Sequence, residues 1–161
     1  MWPLIATIEA ERGNLQGSIA AIEKGIEVDR ENTALWLDYA ELLSHVDNRP
    51  HAANAATRGL EDPSFQPRAL AVLTEIAERY YAEGLLVDAI QAAGLAGALQ
   101  QDYSPLAWLR ARISAQQSQP AAAIEWLERT LVLDPEHREA AEALERLRPS
   151  KRKGWFGFRK S

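Results

Sequence analysis

The chain of 161 residues contains no cysteine, and no apolar run approaches the 18 residues that a membrane-spanning helix needs. The absence of cysteine excludes disulfides, a thiolate nucleophile and a cysteine-ligated zinc site. The first residues, MWPLIATIEAER, lack the basic start of a secretory signal peptide. We therefore expect a cytoplasmic protein, unless the chain is a fragment of a longer one.

Sequence patterns of catalysis are missing as well. The chain has no glycine-rich phosphate loop, no nucleophile elbow and no His-Glu-x-x-His pair. Its three histidines, His45, His51 and His137, lie in or beside polar turns, where solvated side chains are the simpler interpretation than metal ligands. The sequence thus predicts no enzyme activity, no cofactor and no metal ion.

Lysine is nearly missing from most of the chain, and charge is unevenly distributed. Residues 1–148 carry one lysine (Lys24), twelve arginines and 23 acidic side chains, a net charge of −10. Residues 149–161, PSKRKGWFGFRKS, carry five cations and no acid. Because phosphate neutralisation requires a basic face, the acidic body argues against specific binding of nucleic acid.

A repeat of about 34 residues organises the chain. One column of small residues recurs at intervals of 34, 37 and 34 residues: Ser18, Ala52, Ala89 and Ala123. A second column opens each copy: Trp2, Trp36, Leu73 and Ala107. A third column lies in polar turns: Gly13, Asp47, Gly84 and Ser118. Apolar residues on both sides of these turns follow helical spacing, and no segment alternates with period two, so we predict an all-α array of helix pairs.

Local signals place some of the helix ends. Ser104 is predicted to cap a helix that has Pro105 at its first position, Asp134 and Pro135 are predicted to open the last helix, and Pro149 is predicted to stop it. Gly94 and Gly97 lie inside a predicted helix, where each costs about 1 kcal/mol relative to alanine. Trp36 is predicted to be a buried core residue between the first two repeats.

The segments GNLQGSIAAIEKGIEVDRENT (13–33) and WLDYAELL (36–43) carry the resemblance to a known family. With the repeat columns, they make the chain similar to tetratricopeptide repeat (TPR) proteins. The resemblance implies a right-handed superhelical solenoid of four helix pairs, at about 1–32, 33–66, 67–103 and 104–137. An amphipathic capping helix at 135–148 and a basic-aromatic tail at 149–161 would follow.

In TPR proteins the first helices line a concave groove that binds a peptide or a helix of another protein. Carried over to this chain, the predicted partner-binding residues are Leu37, Glu41, His45, Thr74, Glu78, Tyr81, Trp108 and Arg112. The middle of this groove is acidic by sequence, which favours a basic or amphipathic partner with an aromatic anchor, although solvated acids on an exposed face fit as well. The positions that form the carboxylate clamp of chaperone-binding TPR proteins do not hold the required Lys and Asn.

The resemblance leads us to expect an adaptor or an assembly- or chaperone-type factor. The alternative is a non-catalytic accessory or regulatory domain of an enzyme or a larger complex. For the tail, three hypotheses remain open: contact with an anionic membrane surface on the inner membrane face, docking onto a partner or onto the chain itself, and a disordered tail. The tail residues that would make such contacts are Lys151, Arg152, Lys153, Trp155, Phe156, Phe158, Arg159 and Lys160.

Overall fold

The computed structural model describes residues 1–46, 49–98 and 102–148. These ranges contain nine α-helices and no strand. The helices are α1 (Trp2–Glu11), α2 (Leu15–Val28), α3 (Thr33–His45), α4 (Arg49–Ala56), α5 (Gln66–Ala82), α6 (Leu86–Gly97), α7 (Ser104–Gln116), α8 (Pro120–Leu133) and α9 (Arg138–Leu147). A 3₁₀ turn, Thr57–Leu60, continues α4.

The helices pack mainly in sequential pairs, α1 with α2, α3 with α4, α5 with α6 and α7 with α8, and α9 packs on α8. Successive pairs are joined by contacts of α2 with α3, α4 with α5 and α6 with α7. The first helices also contact each other, α3 with α5 and α5 with α7. The predicted all-α solenoid is confirmed, and its handedness and exact number of helix pairs stay predictions.

The turns inside three of the pairs have the same backbone conformation. Gly13, Gly84 and Ser118 have positive φ angles of 74°, 78° and 58°. The N–H of the following residue reaches back to the carbonyl five residues earlier in each case: Asn14 to Glu9, Leu85 to Tyr80 and Gln119 to Ser114. This is the Schellman ending of a helix, which requires a left-handed residue. Glycine adopts that conformation freely, whereas Ser118 does so at a cost.

Some helix ends differ from those expected. α7 begins at Ser104 itself, with Tyr103 as its N-cap, so Ser104 makes no side-chain cap. The last helix begins at Arg138 and not at 135, because His137 is its N-cap and its ring accepts a hydrogen bond from the N–H of Ala140 at 3.3 Å. Asp134 instead accepts from the N–H of Glu136 in the preceding turn. Pro149 lies outside the described residues.

The apolar core is continuous through the middle of the array, with smaller clusters at each end. The central cluster joins side chains from α2 to α7, and the C-terminal cluster consists of Ala111, Leu127, Ala140 and Leu144. Trp36 is only half-buried, which corrects the prediction of a buried core residue. Its ring packs at the edge of both the N-terminal and the central cluster, and its indole N–H donates to the carbonyl of Arg30 at 2.8 Å.

Candidate functional site

The candidate site is the surface of α1, α3, α5 and α7, called here the first-helix face. At its N-terminal end, α1 and α3 border a cleft of about 270 Å³. Thr7 and Ala10 on α1 face Asp38, Glu41 and His45 on α3 across this cleft. Exposed small residues on one side and polar side chains on the other leave room for a ligand segment.

Arg68 of α5 joins two carboxylates of α3. Its Nη2 lies 2.6 Å from Oδ1 of Asp38 and 2.8 Å from Oε2 of Glu41, while its Nε donates to Oε1 of Glu41 at 2.9 Å. The hydrogen bonds to Glu41 raise the pKa of Arg68, against the opposing effect of burial, and the bond to Asp38 raises it further. The acidic side of the cleft is therefore partly neutralised from the neighbouring helix.

A second arginine of α5, Arg79, ties the ends of α3 and α5 together. Its guanidinium donates to the backbone carbonyl of Ser44, lies 3.3 Å from Nδ1 of His45 and pairs with Oε1 of Glu75 at 2.7 Å. Because the Ser44 carbonyl belongs to the last turn of α3, Arg79 also satisfies an acceptor that the helix end leaves open. His45 is thus an exposed residue with an arginine neighbour.

At the C-terminal end of the face, Arg112 of α7 lies close to two aromatic rings. Its Cζ is 4.8 Å from the ring centroid of Tyr81 and 5.2 Å from that of Trp108. Its Nη2 pairs with Oε1 of Glu78, and its buried Nε–H has no acceptor. We call Tyr81, Arg112, Trp108 and Glu78 the arginine stack; each of these side chains is half-buried. Cation–π contacts of this kind are worth about 0.5–2 kcal/mol each.

His137 extends the arginine stack toward α9. Its ring centroid is 4.9 Å from that of Trp108, and its Nδ1 lies 3.3 Å from a carboxylate oxygen of Glu139. The side chain is 17% exposed. The expectation of a solvated loop histidine is therefore wrong for His137, because the ring both caps α9 and covers one side of Trp108.

Comparisons with known proteins decide the fold. No protein-family model and no curated protein matches the chain. Among solved structures, MamA superposes with a TM-score of 0.70 at 18% identity, over 91% of this chain and 78% of that chain. PilF of Pseudomonas aeruginosa gives 0.60 at 20% identity, over 91% and 65%. Cut9, in the APC/C hetero-tetramer with Hcn1, gives 0.61 at 15% identity, over 92% and 29%. These neighbours are TPR proteins. The chain has the TPR fold.

Six of the predicted partner-binding residues lie at least partly on the surface of the first helices, and their role in binding stays a prediction: Glu41, His45, Glu78, Tyr81, Trp108 and Arg112. Two others are buried. Leu37 is 0% exposed, because it packs against the 3₁₀ turn, where a Cβ added to Gly59 would lie 2.8 Å from its Cδ2. Thr74 is 3% exposed, and its hydroxyl donates to the carbonyl of Leu70 at 2.7 Å. Neither side chain is available to a partner, which corrects both predictions.

The prediction of an acidic groove also needs correction, because sequence reasoning missed Arg68 and Arg79. For a third ion pair, between Glu78 and Arg112, the sequence does hold a signal. These two residues are 34 residues apart and occupy the same repeat column. Opposite charges in one column of neighbouring repeats predict an ion pair. No such signal exists for Arg68, whose partners lie 27 and 30 residues earlier, outside the repeat spacing.

Metal clusters and membrane-spanning helices are both absent from the described ranges. No three histidine, aspartate or glutamate side chains in 1–46, 49–98 and 102–148 converge as metal ligands would. None of the described helices combines the length and apolar character needed to cross a bilayer. The predicted tail contacts, Lys151, Arg152, Lys153, Trp155, Phe156, Phe158, Arg159 and Lys160, lie outside the described residues.

Proposed function

We propose that this chain is a non-catalytic protein–protein interaction module that binds an amphipathic segment of another protein along its first-helix face. It would act as an adaptor or as an assembly- or chaperone-type factor. The observation that carries the proposal is the arginine stack, in which the half-exposed rings of Tyr81 and Trp108 both lie against Arg112. Arginine, tryptophan and tyrosine are the residue types that contribute most to binding energy at protein interfaces.

The stack is ordered before any partner arrives. Glu78 pairs with the guanidinium of Arg112, the rings of Tyr81 and Trp108 pack against that guanidinium, and His137 packs on Trp108. Side chains that are already immobilised lose little conformational entropy when a ligand covers them, so more of the contact energy appears as affinity. The stack therefore suits an apolar anchor residue on the partner.

The balance of charge favours an amphipathic partner over a strongly basic one. Four carboxylates on the face, those of Asp38, Glu41, Glu75 and Glu78, are paired with three arginines from neighbouring turns or helices. The net charge of this set is −1. These half-exposed pairs offer both donors and acceptors, so they favour specificity of docking more than attraction of a cationic segment.

Similar folds support an interaction role in a general way. Cut9, which has the TPR fold, was crystallised in a hetero-tetramer with Hcn1. In that structure a TPR-fold chain is therefore bound to another protein. The repeat architecture itself presents an extended surface in which each helix pair adds its own contacts. We place this chain in the cytoplasm, where residues 149–161 would hold it and its partner at the anionic inner face of a membrane.

The first-helix face can be tested with three single substitutions in the full chain, after partners have been identified by crosslinking in native extract. Ala10→Arg blocks the cleft and Tyr81→Ala opens the arginine stack, so each should weaken the titrated affinity about tenfold or more. Val87→Arg on α6 is the matched control, because Val87 is 67% exposed and lies on a second helix. Its affinity should be unchanged.

The opposite pattern would contradict the proposal. If Val87→Arg abolishes binding and the other two variants bind normally, the partner lies on the second helices. Circular dichroism and melting curves of all three variants separate a lost contact from a lost fold.

A further inference from the structure

A second cavity lies on α7 and α8, with no lining residue in common with the cleft or the arginine stack. Its volume is about 510 Å³, and we call it the α7–α8 pocket. Tyr103, Trp126 and Val132 form apolar parts of its wall, and Arg110 of α7 also lines it. Val132 is 71% exposed.

Arg110 is fixed in place and is not free to bind an anion. Its Nη2 donates to the carbonyl of Ala93 at 3.1 Å, and its Cζ lies 4.7 Å from the ring centroid of Trp126. Burial lowers the pKa of Arg110. The pocket therefore presents an aromatic and aliphatic wall, and the guanidinium of Arg110 that lines it already has partners.

The rim of the pocket is acidic. Glu125 and Glu128 project from α8 and are exposed. Glu125 forms no ion pair with any other described residue, and Asp102 is paired with Arg129. Residues 120–148 together hold seven carboxylates and four arginines, a net charge of −3. At the rim itself Glu128 is paired with Arg148, so Glu125 is the carboxylate left for a cation of a docking segment, beside the apolar wall.

The chain itself supplies such a segment at the edge of the pocket. Arg148, the last described residue, pairs through Nη2 with Oε1 of Glu128 on the rim at 2.7 Å. The 13 residues that follow carry five cations, three aromatic side chains and no acid. Trp155 is seven residues beyond Arg148, a span of up to about 23 Å in extended chain, so the aromatic residues can reach the pocket.

We propose that residues 149–161 dock in cis on the α7–α8 pocket. Trp155 and Phe156 cover Trp126 and Val132, and the flanking lysines and arginines face Glu125. A tether this short gives an effective concentration in the millimolar range, so even a weak contact is populated. An anionic membrane would compete for the same cations and aromatic rings, which makes docking a resting state that membrane contact releases.

The absence of cysteine allows a clean test in the full chain. A nitroxide attached to the cysteine of Ser161→Cys should reduce the intensity of the NMR signals from the amide and indole N–H of Trp126 and from the amide N–H of Val132. It should leave the amide signal of Leu42, on the first-helix face, unchanged. Trp155→Ala with Phe156→Ala should restore the intensity without changing charge. Glu125→Lys should restore part of it, whereas Glu142→Lys, an equal charge change on exposed α9 away from the pocket, should not.

Several results would overturn cis docking. One is undiminished intensity at the pocket in the absence of vesicles. Another is equal recovery from Glu125→Lys and Glu142→Lys, which would mean that net charge alone matters. A third is signal loss in an isotope-labelled chain without nitroxide mixed with a nitroxide-bearing unlabelled chain, which would assign the pocket to a second copy.

Vesicles distinguish docking from the proposed membrane contact. If vesicles with anionic lipid, and not neutral ones, restore the pocket signals while the chain sediments with them, both proposals are supported. If the pocket signals stay broadened and the chain does not sediment, docking stands and the membrane contact fails. Partner affinity at the first-helix face is measured separately and is independent of either result.

Discussion

At the scale of single residues, the two glycines of α6 show how much the surroundings decide. Sequence alone assigns the same helix-breaking cost to Gly94 and Gly97. A Cβ at Gly94 would meet nothing within 4 Å, whereas a Cβ at Gly97 would overlap the guanidinium of Arg110, with Cζ only 2.6 Å away. Gly97 therefore makes room for the side chain that stacks on Trp126, and Gly94 has no such role.

This difference gives a matched pair of substitutions. Gly94→Ala should stabilise the protein by about 0.5–1 kcal/mol through helix propensity. Gly97→Ala should destabilise it by about 1–2 kcal/mol, because Arg110 loses its hydrogen bond to Ala93 and its contact with Trp126. Urea unfolding measures both. In an Arg110→Ala background the penalty at position 97 should disappear, and a penalty that persists there would show that Arg110 is not its cause.

The candidate site was predictable from sequence only where the repeat register carries the information. Glu78 and Arg112 share a column, so their contact follows from the 34-residue spacing. Leu37 and Thr74 have the right register for the first helices, but their burial depends on how closely neighbouring elements approach, as Gly59 allows at Leu37. Such close approaches are properties of the three-dimensional packing and leave no periodic trace.

At the scale of elements, periodicity located the helices and local chemistry misplaced some of their ends. Asp134 before Pro135 predicts a helix start, but the side chain of Asp134 accepts a hydrogen bond within the preceding turn. His137 is the residue that caps α9. Trp36 opens its repeat as the register requires, yet its ring bridges two clusters at the surface. Sequence gives the helix, while the neighbouring pair decides how deeply each side chain lies.

The link between α2 and α3 depends on pH. Tyr39 donates its hydroxyl to Oε1 of Glu23 at 2.8 Å. Burial, then this hydrogen bond and the charge of Glu23, raise the pKa of Tyr39 to about 12 from 10.0. Because the folded-state pKa is raised, the stabilisation is complete below pH 10 and is lost as the pH rises toward 12.

Tyr39→Phe should therefore cost about 1 kcal/mol at pH 8, a modest value because Glu23 is exposed. The difference from the wild-type chain should shrink at pH 11. Urea unfolding at both pH values measures it, and tyrosinate absorbance should lose a component that titrates near pH 12 in the variant. A stability difference that is the same at both pH values would show that the hydrogen bond does not contribute.

At the scale of the whole molecule, the array has a continuous centre and a smaller C-terminal cluster. Leu73 of α5 is 0% exposed in the central cluster, and α5 contacts α3, α4, α6 and α7. Leu144 of α9 is 6% exposed in the C-terminal cluster, and α9 packs mainly on α8. In repeat arrays stability is approximately a sum of local terms and nearest-neighbour interfaces. Truncation of Leu73 and truncation of Leu144 should therefore destabilise different sets of helices.

Leucine-to-alanine substitution at both positions tests this arrangement with the same chemistry. Each should cost about 2–4 kcal/mol locally. With Leu144→Ala, amide hydrogen exchange should accelerate in α8 and α9 while α3 and α5 keep their protection, because opening the end leaves the central interfaces intact. With Leu73→Ala, protection should fall from α3 to α7 together. Uniform acceleration throughout the chain in both variants would instead show that the solenoid opens as one cooperative unit.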